Sequence, residues 1–134
     1  MPPKHRIVLC VDDDPDDQIL VKETIKELNP SLEVASALNG VEALQYLDAA
    51  KERGELPSLV ILDINMPLMD GKQTLTQIKK DAALNAVPVV MFTTSSSPLD
   101  KLFCEKHGVK FVNKPIKQVE LYETVKMLLS YCTP

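Results

Sequence analysis

Short apolar runs alternate with longer amphipathic stretches along the whole chain, and that alternation leaves few folds open. The runs occupy residues 7–11, 32–37, 59–62, 87–92 and 109–112. Three of them are nearly continuous in apolar residues, as expected for parallel strands covered by helices on both faces. The run at 32–37 is mixed and reads as an edge strand. Between the runs, apolar residues recur at helical spacing. The stripes are Val21, Ile25 and Leu28; Val41, Ala43, Leu44 and Leu47; Leu75 and Ile78; Leu99, Leu102 and Phe103; and Leu121, Val125, Leu128 and Cys132. Asp14 followed by Pro15 supplies a capping side chain and a first-turn proline, a good helix start. Asn39-Gly40, Arg53-Gly54, Asp70-Gly71 and His107-Gly108 mark other joints. Five strands alternating with five helices predict an α/β fold: a doubly wound (βα)5 domain with a parallel sheet in the order 2-1-3-4-5.

In such sheets ligands lie outside the carboxyl ends of the strands, so chemistry is sought directly after each run. After the first come Asp12, Asp13 and Asp14, part of a stretch with five Asp in the six residues 12–17. Asp14, Asp16 and Asp17 read as a polar loop and helix cap. Asp12 and Asp13 follow a buried strand directly, where adjacent carboxylates repel and are poorly solvated. A hard divalent cation is the usual compensation. After the third run Asp63 brings a third carboxylate to the same sheet edge, as a further metal ligand, a nucleophile, or both.

The fourth run ends in Thr93, Thr94, Ser95, Ser96 and Ser97. These hydroxyls suit either a loop with a helix cap or hydrogen bonding to phosphate oxygens. After the fifth run Lys114, between a strand and Pro115, is oddly placed for a surface charge and suits an anionic centre. A carboxylate nucleophile, a cation site, a hydroxyl and a lysine at one edge fit phosphoryl transfer to an aspartate.

The totals exclude several alternatives. With 134 residues the chain reads as one domain, 1–134, able to bury roughly two-thirds of its unfolded surface without a disulfide or structural metal. A net charge of −4 argues against a nucleic-acid partner, which would demand a basic face. Cys10, Cys104 and Cys132 form no metal-ligand or CxxC spacing, and Cys10 reads as a small core residue. Met-Pro-Pro-Lys-His-Arg does not open a secretory signal, and no apolar run approaches a membrane span. The expectation is a cytoplasmic protein with no membrane partner.

Four motifs carry a resemblance: Val-Asp-Asp after the first run, Leu-Asp-Ile-Asn-Met-Pro-Leu-Met-Asp-Gly after the third, Phe-Thr-Thr after the fourth and Lys-Pro after the fifth. In that order they resemble a bacterial response-regulator receiver domain of the stand-alone chemotaxis type, over a core of about residues 6–131. The resemblance implies a flavodoxin-like fold and two-component phosphorelay signalling rather than turnover of a substrate. It implies Asp63 as phosphoacceptor, Mg²⁺ held by Asp12, Asp13, Asp63 and the backbone carbonyl of Asn65, and Thr93 and Lys114 bonded to the phosphoryl group. By the same resemblance Phe111 is the switch aromatic, and Asn65 and Ser95 flank the path of the hydrolysing water. Thr94 departs from the smaller residue common at its position, and Ile116 from a common aromatic. The connection 49–57 and the Asp-Pro-Asp-Asp helix start resemble single-domain regulators that partner phytochrome-like or hybrid kinases.

The implied donor is a sensor histidine kinase or a phosphotransfer protein. The implied output is a protein surface, with self-association into a homodimer as one route. An aspartyl-phosphate hydrolase of the haloacid dehalogenase type would carry an acid at Asn65, and a flavin mononucleotide binder would not place acids after its first strand. A degenerate receiver acting only as a binding module would not need the complete set of Asp12, Asp13, Asp63, Thr93 and Lys114.

Overall fold

The computed structural model describes residues 6–132, and the Met-Pro-Pro-Lys-His stretch read above for targeting lies outside them. Five parallel strands form one sheet: β1 (Ile7–Val11), β2 (Glu33–Ala37), β3 (Leu59–Leu62), β4 (Val89–Thr93) and β5 (Lys110–Asn113), in the order β2-β1-β3-β4-β5. Helices α1 (Pro15–Leu28), α2 (Gly40–Arg53), α3 (Gly71–Lys80), α4 (Pro98–Lys106) and α5 (Leu121–Leu129) alternate with them. The expected topology and strand order are the observed ones.

The two-residue period of a strand divides the interior in two. Leu9 and Val11, Val60 and Leu62, and Met91 face a core completed by Ala43 and Leu47 of α2 and Leu75 and Ile78 of α3. Val8 and Cys10, Leu59 and Ile61, and Val90 and Phe92 face the other, completed by Val21 and Ile25 of α1 and Val125 and Leu128 of α5. β1 and β3 are buried on both sides, whereas β2 and β5 are the partly exposed edges.

Three expectations are corrected. The helix α2 extends five residues into the connection expected at 49–57, because Ala50 continues its buried stripe. It stops at Gly54, whose φ of 69° is the left-handed conformation that glycine adopts without strain. On α4 the stripe is displaced: Leu99 and Leu102 are exposed, and of the expected residues Phe103 alone turns inward, half-buried beside Cys104. The last helix ends at Leu129, so Cys132 lies beyond it and packs from an irregular segment.

Candidate functional site

Backbone hydrogen bonds that continue the sheet just past its strands set the positions of the site. Asp12 N–H donates to Ala37 O at 3.0 Å, Asp63 N–H to Val11 O at 2.9 Å, and Lys114 N–H to Thr93 O at 2.8 Å. Each functional side chain thus leaves from a backbone held by the neighbouring strand. Asp12, Asp13 and Asp63 come together, with one carboxylate oxygen of each within 4.8 Å of the others. Asp12 and Asp63 are buried and Asp13 is exposed.

Lys114 reaches across the sheet edge into this cluster. Its Nζ lies 2.6 Å from Asp12 Oδ2, 2.8 Å from Asp17 Oδ2 and 3.2 Å from Asp63 Oδ2. All three ammonium protons are therefore engaged. Burial acts to lower the Lys114 pKa, but the hydrogen bonds to Asp12 and Asp17 and the charges of Asp63 and Asp12 outweigh it, so the ammonium is held charged more firmly than usual. Burial raises the pKa of Asp12, and the charge of Asp63 adds to this against the opposing pull of Lys114. Both members of one ion pair move upward because a single lysine shared among three carboxylates cannot fully compensate any of them.

The loop after β3 is shaped by close backbone approach. A Cβ on Gly71 would collide with the Asp63 carbonyl oxygen and with Ile64 Cα, so only glycine lets α3 begin there. Asp70 caps that helix through Gln73 N–H at 2.8 Å, and Gln73 Oε1 accepts from Asp70 N–H at 3.0 Å, a reciprocal capping box. The Asp63 carboxylate accepts from Ile64 N–H at 2.7 Å through Oδ1, which leaves Oδ2 for Lys114.

Other expected residues sit around this centre rather than in it. Thr93 is fully buried, and its hydroxyl oxygen accepts from Ser95 N–H at 3.2 Å. Ser95 turns its own hydroxyl toward Asp100. Asn65 is exposed in the loop beyond Asp63, as is Thr94 beyond Thr93. Phe111 is half-buried on β5 beside Met91 and packs on the first core. Cys10 is a core residue, with its thiol pushed up to about 12 by burial and the nearby Asp12 charge.

Sequence reasoning missed two residues. Asp17, read there as loop, is a direct partner of Lys114; the only signal was its place in the first turn of a helix starting beside the site. Gln18 is buried, and its Nε2 lies 3.0 Å from Cys10 O, 3.0 Å from Asp12 O and 2.9 Å from Ala37 O. It fastens α1 to the loop bearing the acids. A glutamine at a helix start gives no sign of such a role.

The donor set fits a hard divalent cation. Around Mg²⁺, with metal–oxygen distances of about 2.0–2.1 Å, opposite ligands stand about 4.2 Å apart. Adjacent ligands stand about 2.9 Å apart, so carboxylate oxygens within 4.8 Å of one another surround the ion by closing on it or through bridging water. The family model for the response regulator receiver domain matches residues 8–126. Response regulator Rcp1 from Synechocystis sp. is 31% identical, over 97% of this chain and 89% of that protein. The crystal structure of the phosphorylated cyanobacterial phytochrome response regulator RcpA superposes with a TM-score of 0.88 at 28% identity, covering 96% of this chain and 94% of that one. The Mn²⁺-bound form of Rcp1 superposes with a TM-score of 0.84 at 29% identity, covering 93% and 92%.

Proposed function

The chain belongs to the response regulator receiver domain family, the phosphoacceptor domains of two-component signalling, and from that premise we propose that Asp63 accepts the phosphoryl group with Mg²⁺ as the assisting cation. One observation carries the reading: Lys114 Nζ bridges Asp12 and Asp63, the two buried members of a three-carboxylate cluster at the sheet edge. The donor is a phosphohistidine of a sensor kinase, of the phytochrome-linked class that the RcpA likeness favours, or of a phosphotransfer protein.

Asp63 Oδ2 attacks phosphorus, an O–P bond forms as the N–P bond breaks, and the departing imidazole keeps the electron pair. Lys114, already directed at that oxygen, follows the phosphoryl group as negative charge moves onto its oxygens. Thr93 contributes its hydroxyl from the adjoining strand end. Bound Mg²⁺, held by Asp12, Asp13, Asp63 and the Asn65 carbonyl, supplies charge neutralisation. Asn65 and Ser95 offer no strong base, so hydrolysis of the acyl phosphate is slow to moderate.

The receiver unit is proposed to run over 1–134 and to act in the cytoplasm as a signalling phosphoacceptor that assists its own phosphorylation and dephosphorylation. Among the described residues no helix is long and apolar enough to cross a membrane. Acetyl phosphate treatment followed by intact-mass measurement tests the assignment. Wild type gains one phosphoryl group only with Mg²⁺, and Asp63→Asn gains none. Equal labelling of the variant would move the acceptor elsewhere.

A further inference from the structure

Lys114 has three anionic partners, and they are not equivalent. Asp12 and Asp63 belong to the cluster whose oxygens converge for a cation; Asp17 does not. A cation on that cluster draws Asp12 and Asp63 toward itself, which leaves Asp17 as the partner of Lys114 that the cation does not claim. Asp17 is also held in place. Asp14 caps α1 by accepting from Asp16 N–H at 2.9 Å and Asp17 N–H at 3.4 Å, and the three contacts of Gln18 fasten the same turn to β1 and β2. Lys114 leaves a backbone bonded to β4 and is followed by Pro115. The two side chains therefore meet between two anchored segments, and both line a cavity of about 180 Å³ together with Leu20, Phe92 and Ile116.

We infer that Asp17 is a positioning residue that holds Lys114 toward α1 and opposes the phosphorylated state. The inference rests on Asp63 as acceptor and deepens that reading by naming what restrains its lysine. Two effects of Asp17 point the same way. Its bond to Lys114 must lengthen or be shared when the ammonium follows a phosphoryl group. Its charge also adds to those of Asp12, Asp13 and Asp63 and repels the incoming anion. Toward a cation both effects reverse: Asp17 keeps Lys114 from competing for Asp12 and Asp63, and its charge attracts the ion.

Removing the charge therefore moves two affinities in opposite directions, which a loosened fold would not do. In Asp17→Asn the Mg²⁺ affinity, measured by calorimetry, falls about three- to fivefold, the factor equivalent to a partly exposed charge pair. At saturating Mg²⁺ the affinity for beryllofluoride, followed by fluorine NMR, rises by a similar factor. Asp16→Asn serves as control, because Asp16 is exposed and makes no contact with Lys114; it leaves both affinities within twofold of wild type. Beryllofluoride binding by Asp17→Asn that is unchanged or weaker overturns the inference, as does an Asp16→Asn variant that reproduces both shifts. Failure of the wild-type protein to bind beryllofluoride with Mg²⁺ would instead overturn the assignment of Asp63.

Discussion

Ser95 donates its hydroxyl to Asp100, with Oγ 2.6 Å from Oδ2, and so fastens the loop after β4 to α4. The same carboxylate pairs with Lys72 of α3. Ser95 also donates its N–H to the Thr93 hydroxyl oxygen and accepts from Asn113 Nδ2 at 2.6 Å. A continuous set of polar contacts thus runs from the end of β4 to α3.

Asp100 makes that connection sensitive to acid. Its pKa is lowered, first by the bond to Lys72 and then by the bond from Ser95. A group depressed in the folded state contributes stability above its unfolded value, near 4, and loses it as pH falls through the lower folded value. The urea midpoint of Asp100→Asn should therefore lie below that of wild type at neutral pH. The two should draw together as pH falls from about 4 through that lower value. A difference that does not narrow on acidification would show that the carboxylate charge is not its source.

Asp13 is the exposed acid of the cluster, and Lys114 bonds Asp12, Asp17 and Asp63 but not Asp13. Without metal it stands beside two other carboxylates with little to offset it. Asp13→Asn relieves that repulsion, so its melting temperature should exceed that of wild type in chelator-treated buffer. Mg²⁺ at a hundredfold excess over Kd should stabilise wild type by about 2.7 kcal/mol and leave the variant nearly unchanged. A variant that melts lower without metal, yet still gains from it, would remove Asp13 from the site.

The loop after Asp63 contains one tight approach and one strained residue. Gly71→Ala places a methyl group against the Asp63 carbonyl oxygen and Ile64 Cα, both backbone atoms that cannot rotate away. The expected cost is about 1–3 kcal/mol in a denaturant titration, with Mg²⁺ affinity reduced because Asp63 shifts with the strain.

Leu68 is the opposite case. It holds φ at 67° in a turn closed by Met69 N–H to Pro67 O at 2.7 Å, while 84% of its surface is exposed. Leucine in that conformation costs roughly 1–2 kcal/mol. Glycine would remove this strain but add about 0.4–1 kcal/mol of unfolded-chain entropy to be lost. Leu68→Gly is thus expected to raise stability by up to about 1.6 kcal/mol. Destabilisation would mean that the exposed side chain makes a contact that matters.

The sheet and the acids were legible in the sequence because their causes are local and periodic. The five-residue apolar run Ile7–Val11 is too short for a buried helix and reads as a buried strand, and the residue after such a strand lies at the sheet edge, as Asp12 and Asp63 do. α4 misled for a related reason: Leu99 and Leu102 keep helical spacing, but spacing does not say which face another element covers. Asp17 was hidden among five aspartates, since only the meeting of α1 with the end of β5 distinguishes it from Asp16. Gln18 needed three carbonyls from two strands to give it a role, and no pattern along one chain reports that.

Transmission from Asp63 to the surface can be tested through Thr93. Its hydroxyl oxygen accepts from Ser95 N–H, and that bond does not use its own proton, which remains available to donate to a phosphoryl oxygen. Such donation would draw Thr93 and the attached Ser95 loop toward Asp63. It would also pull on Asp100 and Asn113, and so on α4 and the end of β5. Phe111 lies two residues before Asn113, in register with Met91, and its ring is half-buried, so a shift of that loop would bear on it. Two arrangements separated by a few kcal/mol suffice, because the phosphoryl group need only favour one by a comparable amount. In hydrogen exchange, beryllofluoride with Mg²⁺ should slow or speed residues 94–106 and 110–114 together in wild type. Thr93→Ala loses a hydrogen bond to a charged group, worth about 1.5–3 kcal/mol, so it should bind the mimic about tenfold or more weakly. At saturation it should leave both segments as they are without ligand, and any change in self-association seen with wild type should disappear. If the two segments still respond together in Thr93→Ala, the coupling does not pass through this hydroxyl, and the contact of Lys114 with Asp17 on α1 becomes the route to examine.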